Sequence, residues 1–305
     1  MKVLVTGASG FIGSHVVREL LHRGHLVHAV VRPATSLRRL QGVEHLITTW
    51  PVDLSGPVGT DAAVSRMAPD AALHLAWYAE PATYLSDVPR NLESLENSLR
   101  LLRMLSEGTA RRLILAGTCL EDNKAEDLSE SIYAVAKRAI HALATHTAGQ
   151  QLTVACAHVF SVFGPGEDER RAVPSIILSL LRGHPVDVSA GLQLRDYLYV
   201  TDVADAFVTI LESEAHGSID VCSGNPRTLR AVFEEIGRSV GREDLLRWGS
   251  RPTAAGHGFD AVGNPVALLG LGWRPRYSLS EGLAEDVRWW RSQERRLPRS
   301  ETRND

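Results

Sequence analysis

The sequence predicts an α/β protein with a doubly wound parallel sheet and a smaller C-terminal lobe. In the first half, short runs of apolar and β-branched residues alternate with segments of helical periodicity. Continuous apolar strands between helices are typical of a parallel sheet that is covered on both faces. After Gly164-Pro165-Gly166 the alternation ends, and shorter elements rich in Gly, Pro and Arg follow.

The predicted elements follow one another in regular order along the first half. A buried strand over residues 2–5 leads into an amphipathic helix that ends at Gly24. Further on, a long helix carries leucines at helical spacing. In full, we predict strands at 2–5, 26–32, 45–50, 71–77, 112–117 and 152–160, and helices at 12–23, 91–107, 132–147, 173–181, 202–212 and 279–290.

Length and composition fit a globular protein of two lobes. The chain has 305 residues, of which 44% are hydrophobic and 23% charged. At roughly 100–200 residues per domain, this length predicts two domains or one large lobe with a smaller one. We assign residues 1–165 to the sheet-containing domain and 166–292 mainly to the smaller lobe, some segments of which are free to pack on the first domain. Residues 293–305 are predicted to form a charged tail.

Charge and cysteine content exclude several classes of protein. A net charge of -3 gives no broad electrostatic footprint for nucleic acid. The three cysteines, Cys119, Cys156 and Cys222, are far apart and contain no CxxC pair, so we expect neither a disulfide framework nor a metal site. The N-terminus does not resemble a signal peptide, and no run reaches the roughly 18 apolar residues of a membrane helix. We expect a cytoplasmic protein without a membrane partner.

A glycine-rich segment lies between the first predicted strand and the first helix. Such a turn must be tight, and the helix N-terminus that follows it offers N–H donors to a pyrophosphate. The spacing is GxxGxxG rather than GxGxxG, but the strand–turn–helix context favours a dinucleotide-binding loop over an ordinary turn. Residues 1–165 are therefore predicted to form a dinucleotide-binding Rossmann domain. The predicted loop contacts are Gly7, Gly10, Phe11, Ile12 and Gly13.

The residues after the second strand bear on the choice of cofactor. An acidic residue there would accept the ribose 2′-hydroxyl of NAD. The strand instead ends at Arg32, with Arg38 and Arg39 shortly after. Because guanidinium groups suit a 2′-phosphate, NADP(H) is favoured, with NAD(H) as the alternative. The weaker interpretation is that these arginines are only solvated surface charges.

Three polar residues form a candidate catalytic set. Tyr133 and Lys137 stand at i and i+4 of a predicted helix, on one face, and Thr118 directly follows the fifth strand. A tyrosine whose pKa is lowered by a neighbouring lysine exchanges a proton with a substrate oxygen, and a threonine hydroxyl orients the carbonyl. The hydride would come from a nicotinamide. A YxxxK pair alone is a weak signal, but its position after the Thr118 strand strengthens it.

With these motifs, the sequence resembles the extended short-chain dehydrogenase/reductases of the NAD-dependent epimerase/dehydratase family. TGASGFIG (6–13), the Tyr133/Lys137 pair, FGPG (163–166) and RDYLYVTDVADA (195–206) match in order. In such enzymes the second lobe binds a nucleoside diphosphate sugar, and the arginine that matches Arg195 contacts its diphosphate. The resemblance further implies that the cofactor is contacted by Asp53, Leu54, Leu75, Ala76 and Asn91, together with Tyr133 and Lys137.

Departures from the family pattern narrow the expected activity. Family 4,6-dehydratases place Asp-Glu after the catalytic threonine, whereas here Thr118 is followed by Cys119-Leu120-Glu121, so dehydration is not expected. This run is more similar to nucleotide-sugar 4-ketoreductases of deoxysugar pathways. His158 and Phe163 replace the usual Arg and Tyr, which implies an altered pocket. Cys119 either contacts the substrate or packs as a small buried hydrophobic residue.

The resemblance therefore implies NADPH-dependent reduction at C4 of a nucleotide-activated 4-keto-6-deoxyhexose, with a dTDP-linked sugar favoured. Tyr133 would protonate the nascent alkoxide, Lys137 would hold the nicotinamide ribose, and Thr118, Cys119 and Arg195 would contact the substrate. Three alternatives remain: an NAD-dependent epimerase, a reductase of a non-nucleotide ketone, and a non-catalytic dinucleotide-binding regulator. A homodimer is expected, because related enzymes often pair through the helices that match 91–107 and the one beginning at 132.

Overall fold

A seven-stranded parallel sheet organises the chain, and it confirms the predicted fold class. The computed structural model describes residues 1–121, 130–147, 151–252 and 259–296. The sheet order is β11-β6-β5-β4-β1-β2-β3, so the chain winds outward in both directions from the β1–β4 pair. In chain order the strands are β1 (Lys2–Thr6), β2 (Leu26–Val31), β3 (Thr48–Pro51), β4 (Ala71–His74), β5 (Arg112–Thr118), β6 (Thr153–Val159), β7 (Ser161–Phe163), β8 (Val186–Val188), β9 (Leu194–Arg195), β10 (Tyr197–Tyr199), β11 (Gly217–Val221), β12 (Arg227–Thr228) and β13 (Leu246–Trp248).

Helices cover both faces of this sheet. On β1, Val3 and Val5 pack in the cluster that includes Val16 and Phe207, whereas Leu4 packs on the other side with Leu101. This alternation explains why the strand sequence is apolar throughout. Within the described residues, no helix combines the length and apolar character that a membrane span needs. The helices are α1 (Phe11–His22), α2 (Pro57–Met67), α3 (Val88–Glu107), α4 (Ile132–Thr147), α5 (Ala172–Leu181), α6 (Val200–Glu212), α7 (Leu229–Val240), α8 (Val266–Gly270) and α9 (Leu279–Arg296).

The second half of the chain contributes to two cores. One core is separate from the sheet and is formed largely by α5, α7 and α9, around buried residues such as Ile177, Phe233 and Trp290. By contrast, α6 packs against α1, and β11 pairs in parallel with β6 at the edge of the main sheet. The segment 166–292 therefore supplies the smaller lobe and also completes the first domain.

The loop that joins the two lobes is attached to the start of the sheet domain. His15 Nε2 lies 2.9 Å from the carbonyl oxygen of Pro165. Arg39 Nε donates to the carbonyl oxygen of Gly166 at 2.8 Å. The two contacts attach this loop to α1 and to the segment that follows β2.

The C-terminal helix extends further than the sequence predicts. The charged tail is expected to begin at residue 293, but α9 continues to Arg296. Glu294 accepts a salt bridge from Arg182 at 2.8 Å, which fixes this last turn against α5. The remaining residues of the predicted tail, 297–305, lie outside the described residues.

A buried carboxyl group in α9 affects the pH dependence of folding. Asp286 is completely buried, and burial raises the pKa of its carboxyl to about 7. Burial also raises the pKa of the nearby Glu167, and the charge of Asp286 adds to that effect. In the unfolded chain the Asp286 carboxyl ionises near pH ~3.9. Folding therefore takes up a proton in this range, and the free energy of unfolding falls as the pH rises from about 4 to about 7.

We expect Asp286→Asn to remove this penalty without changing side-chain volume. The gain in the free energy of unfolding over the wild type should grow as the pH rises to about 7 and level off above it. A pKa difference between folded and unfolded chain corresponds to ~1.4 kcal/mol per pKa unit, so we expect a gain on the order of 1–4 kcal/mol. Urea unfolding followed by circular dichroism at several pH values between about 5 and 8 measures the gain. The exposed Asp187→Asn is the control, and a gain that does not vary with pH would contradict the interpretation.

Candidate active site

The carboxyl ends of the first five strands form one edge, and the predicted cofactor residues follow that edge. Gly7 comes directly after β1, and Arg32 directly after β2. Asp53 lies two residues beyond β3, Leu75 follows β4, and Thr118 ends β5. This edge is where doubly wound sheets bind their ligands. The structure thus brings residues that are far apart in sequence into one row.

The glycine loop leaves no space for side chains. Gly7 has a φ of +69°, and a Cβ there would lie 2.8 Å from the main-chain nitrogen of Ala76. A Cβ on Gly13 would overlap the carbonyl oxygen of Gly7. Gly10 precedes α1, and its N–H donates to that same oxygen at 2.9 Å. A loop of this shape beside the N-terminus of a helix fits the pyrophosphate of a dinucleotide, which needs close approach to main-chain N–H groups.

The arginines near the second strand have different surroundings. Arg32 and Arg38 are exposed, whereas Arg39 is engaged with the Gly166 carbonyl. The main-chain N–H of Ser55 and, to a smaller extent, the charge of Arg32 lower the pKa of Asp53. Arg32 and Asp53 therefore lie near each other, at the end of the edge where the adenosine of a dinucleotide would sit.

Tyr133 lies in an aromatic surrounding beside Thr118. The ring of Trp77 is 6.3 Å from the Tyr133 ring, and that of Tyr84 is 5.0 Å away, both edge-on. Burial raises the pKa of Tyr133 above its ordinary value, although a side-chain hydrogen bond with Thr118 acts in the opposite direction. The phenol is therefore protonated at neutral pH. Trp77 and Tyr84 carry no local sequence signal, because their role depends on the loop after β4 folding over α4.

Lys137 is buried between a strand and an aromatic ring. Its Nζ donates to the carbonyl oxygen of Ala116 at 2.6 Å and lies 4.1 Å from the centre of the Trp77 ring. Burial lowers the pKa of Lys137 to about 8. Lys137 was predicted to lower the pKa of Tyr133. This prediction is wrong, because the pKa is raised and burial of the phenol is the largest cause.

Asn91 positions this aromatic surrounding. Its Oδ1 accepts from Trp77 Nε1 at 2.9 Å. Its Nδ2 donates to the carbonyl oxygens of Tyr84, at 2.7 Å, and Asp87, at 2.8 Å. The buried amide therefore fixes both rings that surround Tyr133. Contact of Asn91 with a cofactor stays a prediction.

Cys119 and Arg195 approach each other from the two lobes. The Cys119 N–H donates to the Val159 carbonyl at 3.0 Å, which continues the β5–β6 pairing. Burial raises the pKa of the Cys119 thiol to about 11, so the thiol is protonated. The Arg195 guanidinium donates to the Leu194 carbonyl at 2.9 Å and lies over the Phe259 ring. It is also close enough to Cys119 for its charge to lower the pKa of the thiol slightly. The structure thus brings Arg195 to the end of β5.

Glu121 points into the protein rather than toward a substrate. Its Oε1 accepts the Thr118 N–H at 2.8 Å, and its Oε2 lies 3.2 Å from His141 Nδ1 and 3.4 Å from His158 Nε2. Burial raises its pKa, but the contacts with His141 and His158 outweigh burial and bring the pKa down to about 2. The cluster of Glu121 with His141 and His158 was not predicted from the sequence. Glu121 thus anchors the main chain of Thr118.

We expect Gly13→Ala to weaken binding of NADH and NADPH at least about 10-fold. The new Cβ would meet the main chain of Gly7, which must shift and distort the loop. Calorimetric titration with each dinucleotide measures the effect, and circular dichroism shows whether the fold is retained. The matched control is Gly270→Ala, where a Cβ has no atom within 4 Å. Binding by Gly13→Ala that equals the wild type would rule out this loop as the cofactor site.

Comparison with known proteins agrees with this geometry. A model of the NAD dependent epimerase/dehydratase family matches residues 3–222. UDP-glucuronic acid decarboxylase 1 of Arabidopsis thaliana is 24% identical in an alignment 306 positions long, which covers 94% of this chain and 69% of that protein. The UDP-glucose 4-epimerase of Thermus thermophilus, solved with NAD, is 28% identical with a TM-score of 0.82, covering 95% of this chain and 99% of that one. MoeE5, solved with UDP-glucuronic acid and NAD, is 26% identical with a TM-score of 0.81, covering 97% of this chain and 100% of that one. The resemblance drawn from the motifs is thereby confirmed, and the chain belongs to the NAD-dependent epimerase/dehydratase family.

Proposed function

We propose that this protein is an NAD(P)H-dependent reductase that converts the 4-keto group of a nucleoside diphosphate 4-keto-6-deoxyhexose to a hydroxyl. The observation that carries this proposal is the position of the Tyr133 phenol: it is half-buried among aromatic rings beside Thr118, one helical turn from the buried Lys137. A protonated phenol there holds the proton that a developing alkoxide requires.

Each residue of the set has a defined part in this reduction. The bound nicotinamide supplies the hydride. The Thr118 hydroxyl holds the substrate carbonyl beside the Tyr133 phenol, which then donates its proton to the carbonyl oxygen. Trp77 and Tyr84 exclude water from the phenol. Lys137, held on the Ala116 carbonyl, directs its remaining N–H groups to the ribose of the cofactor.

The side chains near Thr118 do not fit dehydration as the activity. Elimination of water from a sugar needs an acid and a base beside the catalytic threonine. Cys119 is a protonated thiol here, because burial raises its pKa to about 11. Glu121 is buried and engaged with His141 and His158. Neither side chain supplies the acid–base pair of a dehydratase.

Epimerisation with retained NAD is the second candidate. It is favoured by the likeness to the Thermus thermophilus UDP-glucose 4-epimerase, whose structure contains NAD. An epimerase must begin by removing a proton from a sugar hydroxyl, which requires Tyr133 in its ionised form. Arg32, directly after β2, favours the reductase over this candidate, because an acidic residue at that position would suit the ribose 2′-hydroxyl of NAD.

The substrate and the cofactor follow from three arguments. The named relatives act on or contain UDP-linked sugars, which supports a nucleoside diphosphate sugar for this chain. We take a dTDP-linked 4-keto sugar as the first substrate, with UDP-linked sugars in the same panel. Arg195, near Cys119, would hold the diphosphate. Arg32, exposed at the end of β2, would hold the 2′-phosphate of NADP(H).

We further infer a homodimer through α3 and α4. These helices pack side by side on one face of the sheet. On their outer surface, Val88 and Leu92 of α3 and Val135 and Leu143 of α4 are exposed apolar side chains. The same face of a second chain would cover them and form a four-helix interface.

We expect Tyr133→Phe to lower kcat for ketone reduction by about 10²–10⁴-fold, because the general acid is lost while the ring remains. Loss of NADPH or NADH absorbance with dTDP- and UDP-linked 4-keto sugars measures turnover. Tyr277→Phe, in the second lobe, is the control and should keep wild-type rates. Full activity of Tyr133→Phe would overturn the mechanism. Purified protein that carries stoichiometric NAD and interconverts sugar epimers without added cofactor would identify the second candidate.

We expect Arg32→Asp to raise KM for NADPH by about 10–100-fold while leaving NADH nearly unaffected. A hydrogen bond to a charged group contributes about 1.5–3 kcal/mol, and the new carboxylate would also repel a 2′-phosphate. Steady-state kinetics with both cofactors measures the ratio. Arg103→Asp, at an exposed position of α3, is the control. If both KM values stay unchanged, Arg32 does not contact the 2′-phosphate.

A further inference from the structure

Four side chains with metal-ligating atoms converge where β5, β6 and α4 meet. Glu121 follows β5, His141 lies on α4, and Cys156 and His158 lie on β6. Their ligand atoms are all within 4.8 Å of one another. Glu121, Cys156 and His158 are buried, and His141 is half-buried. One thiolate, two imidazoles and a carboxylate form a donor set that zinc binds in proteins.

The spacing of these atoms matches a tetrahedral ion. Glu121 Oε2 lies 3.2 Å from His141 Nδ1 and 3.4 Å from His158 Nε2. With zinc–ligand bonds of about 2.0–2.2 Å, the edges of a ligand tetrahedron are about 3.3–3.6 Å long. Both imidazoles also interact with the Cys156 sulfur. The two edges at Glu121 Oε2 are thus close to those that a single central ion requires, and all four ligand atoms lie within 4.8 Å of one another.

The outward atoms of three of these side chains have partners of their own. His158 Nδ1 faces Asp220 Oδ1 at 3.6 Å, and His141 Nε2 faces Ser218 Oγ at 3.4 Å. Glu121 Oε1 accepts the Thr118 N–H at 2.8 Å. Metal-bound histidines typically present their second nitrogen to a carboxylate or another acceptor, which fixes the orientation of the ring. The cluster has this arrangement.

The backbone is shaped to accommodate the cluster. Cys156 and His158 are two residues apart on β6 and so project from the same face of the sheet. On the adjacent strand, Gly117 leaves the space that the cluster fills. A Cβ there would lie 2.6 Å from His158 Cδ2, 2.7 Å from Cys156 Sγ and 2.8 Å from Glu121 Oε1. A glycine at this position lets the side chains pack directly on β5.

We propose that Glu121, His141, Cys156 and His158 form a tetrahedral zinc site. Binding needs the thiolate of Cys156 and neutral imidazoles of His141 and His158, so the protons that these side chains carry in the metal-free protein pass to solvent. The thiolate and the Glu121 carboxylate balance the two positive charges of the ion, so the buried centre has no net charge. All four positions are filled by protein, which leaves none for water or substrate, and the site is therefore structural.

The zinc site would act on the end of β5. Since Glu121 is both a ligand and the acceptor of the Thr118 N–H, the ion would fix the main chain of Thr118. The expectation of no metal site rested on the missing CxxC pair. This site instead draws its ligands from a loop, a helix and a Cys-x-His pair on one strand, a combination that has no compact sequence pattern.

Cobalt substitution tests the site without reference to activity. Protein stripped with a chelator under reducing conditions is titrated with Co²⁺. We expect intense visible d–d bands of a tetrahedral ion and a near-ultraviolet thiolate-to-cobalt band, both saturating at about one ion per chain and lost when Zn²⁺ is added. Protein purified without chelator should contain about one zinc per chain by elemental analysis.

Variants assign the ligands. Cys156→Ser should lose the thiolate-to-cobalt band, whereas the control Cys222→Ser, at another buried free cysteine, should keep it. His141→Asn, at the half-buried edge of the cluster, should bind Co²⁺ at least about 10-fold more weakly even if Cys156→Ser does not fold. Wild-type protein that lacks zinc and shows no cobalt spectrum would overturn the proposal and leave the cluster a buried ion network. A thiolate band that persists in Cys156→Ser would also overturn it.

Discussion

The hydrogen bond from Lys137 Nζ to the Ala116 carbonyl is the interaction on which the geometry of the candidate site depends. It joins α4 to β5 over 2.6 Å, and because Lys137 is buried, its loss would leave an ammonium group in the interior without this acceptor. Tyr133 lies one helical turn before Lys137, and Thr118 lies two residues after Ala116. This bond therefore fixes the position of the Tyr133 phenol relative to the Thr118 hydroxyl.

Other residues of the site hold Lys137 and Thr118 in this arrangement. Trp77 covers the Lys137 ammonium from the side opposite the strand. Asn91 in turn holds the Trp77 indole from α3. Thr118 is fixed through its own N–H by Glu121. Trp77, Asn91 and Glu121 thus fix the surroundings of Lys137 and Thr118, so the hydroxyl groups that would perform the reaction are positioned before substrate binds.

Sequence reasoning found the parts of this site that are local and missed those that are not. The glycine loop could be predicted because the strand, the glycines and α1 are contiguous. The Tyr133/Lys137 pair could be predicted because its spacing is one helical turn. The pKa of Tyr133 could not be, because burial by Trp77 and Tyr84 is a tertiary effect. The cluster around Glu121 was likewise hidden, since its ligands come from three elements.

The fold, too, could be predicted where the signal is local in sequence and not where it depends on contacts between distant segments. Most of the periodic helices and the apolar strands of the main sheet matched the prediction within a few residues, but α2, α7 and the short α8 were not predicted. The sequence of α2 contains a proline and a glycine, and its contacts with the sheet are made by small side chains and Met67. The return of β11 to the sheet was also not predicted, because its pairing with β6 depends on a partner some sixty residues away.

The contacts of Asp196 show how such long-range order is held. Its buried carboxylate, directly beside Arg195, accepts the N–H groups of Ser223 and Gly224. A carboxylate that satisfies two main-chain donors fixes the loop after β11 to the strand that carries Arg195. The strand that carries Arg195 is thereby tied to the main sheet, because β11 pairs with β6.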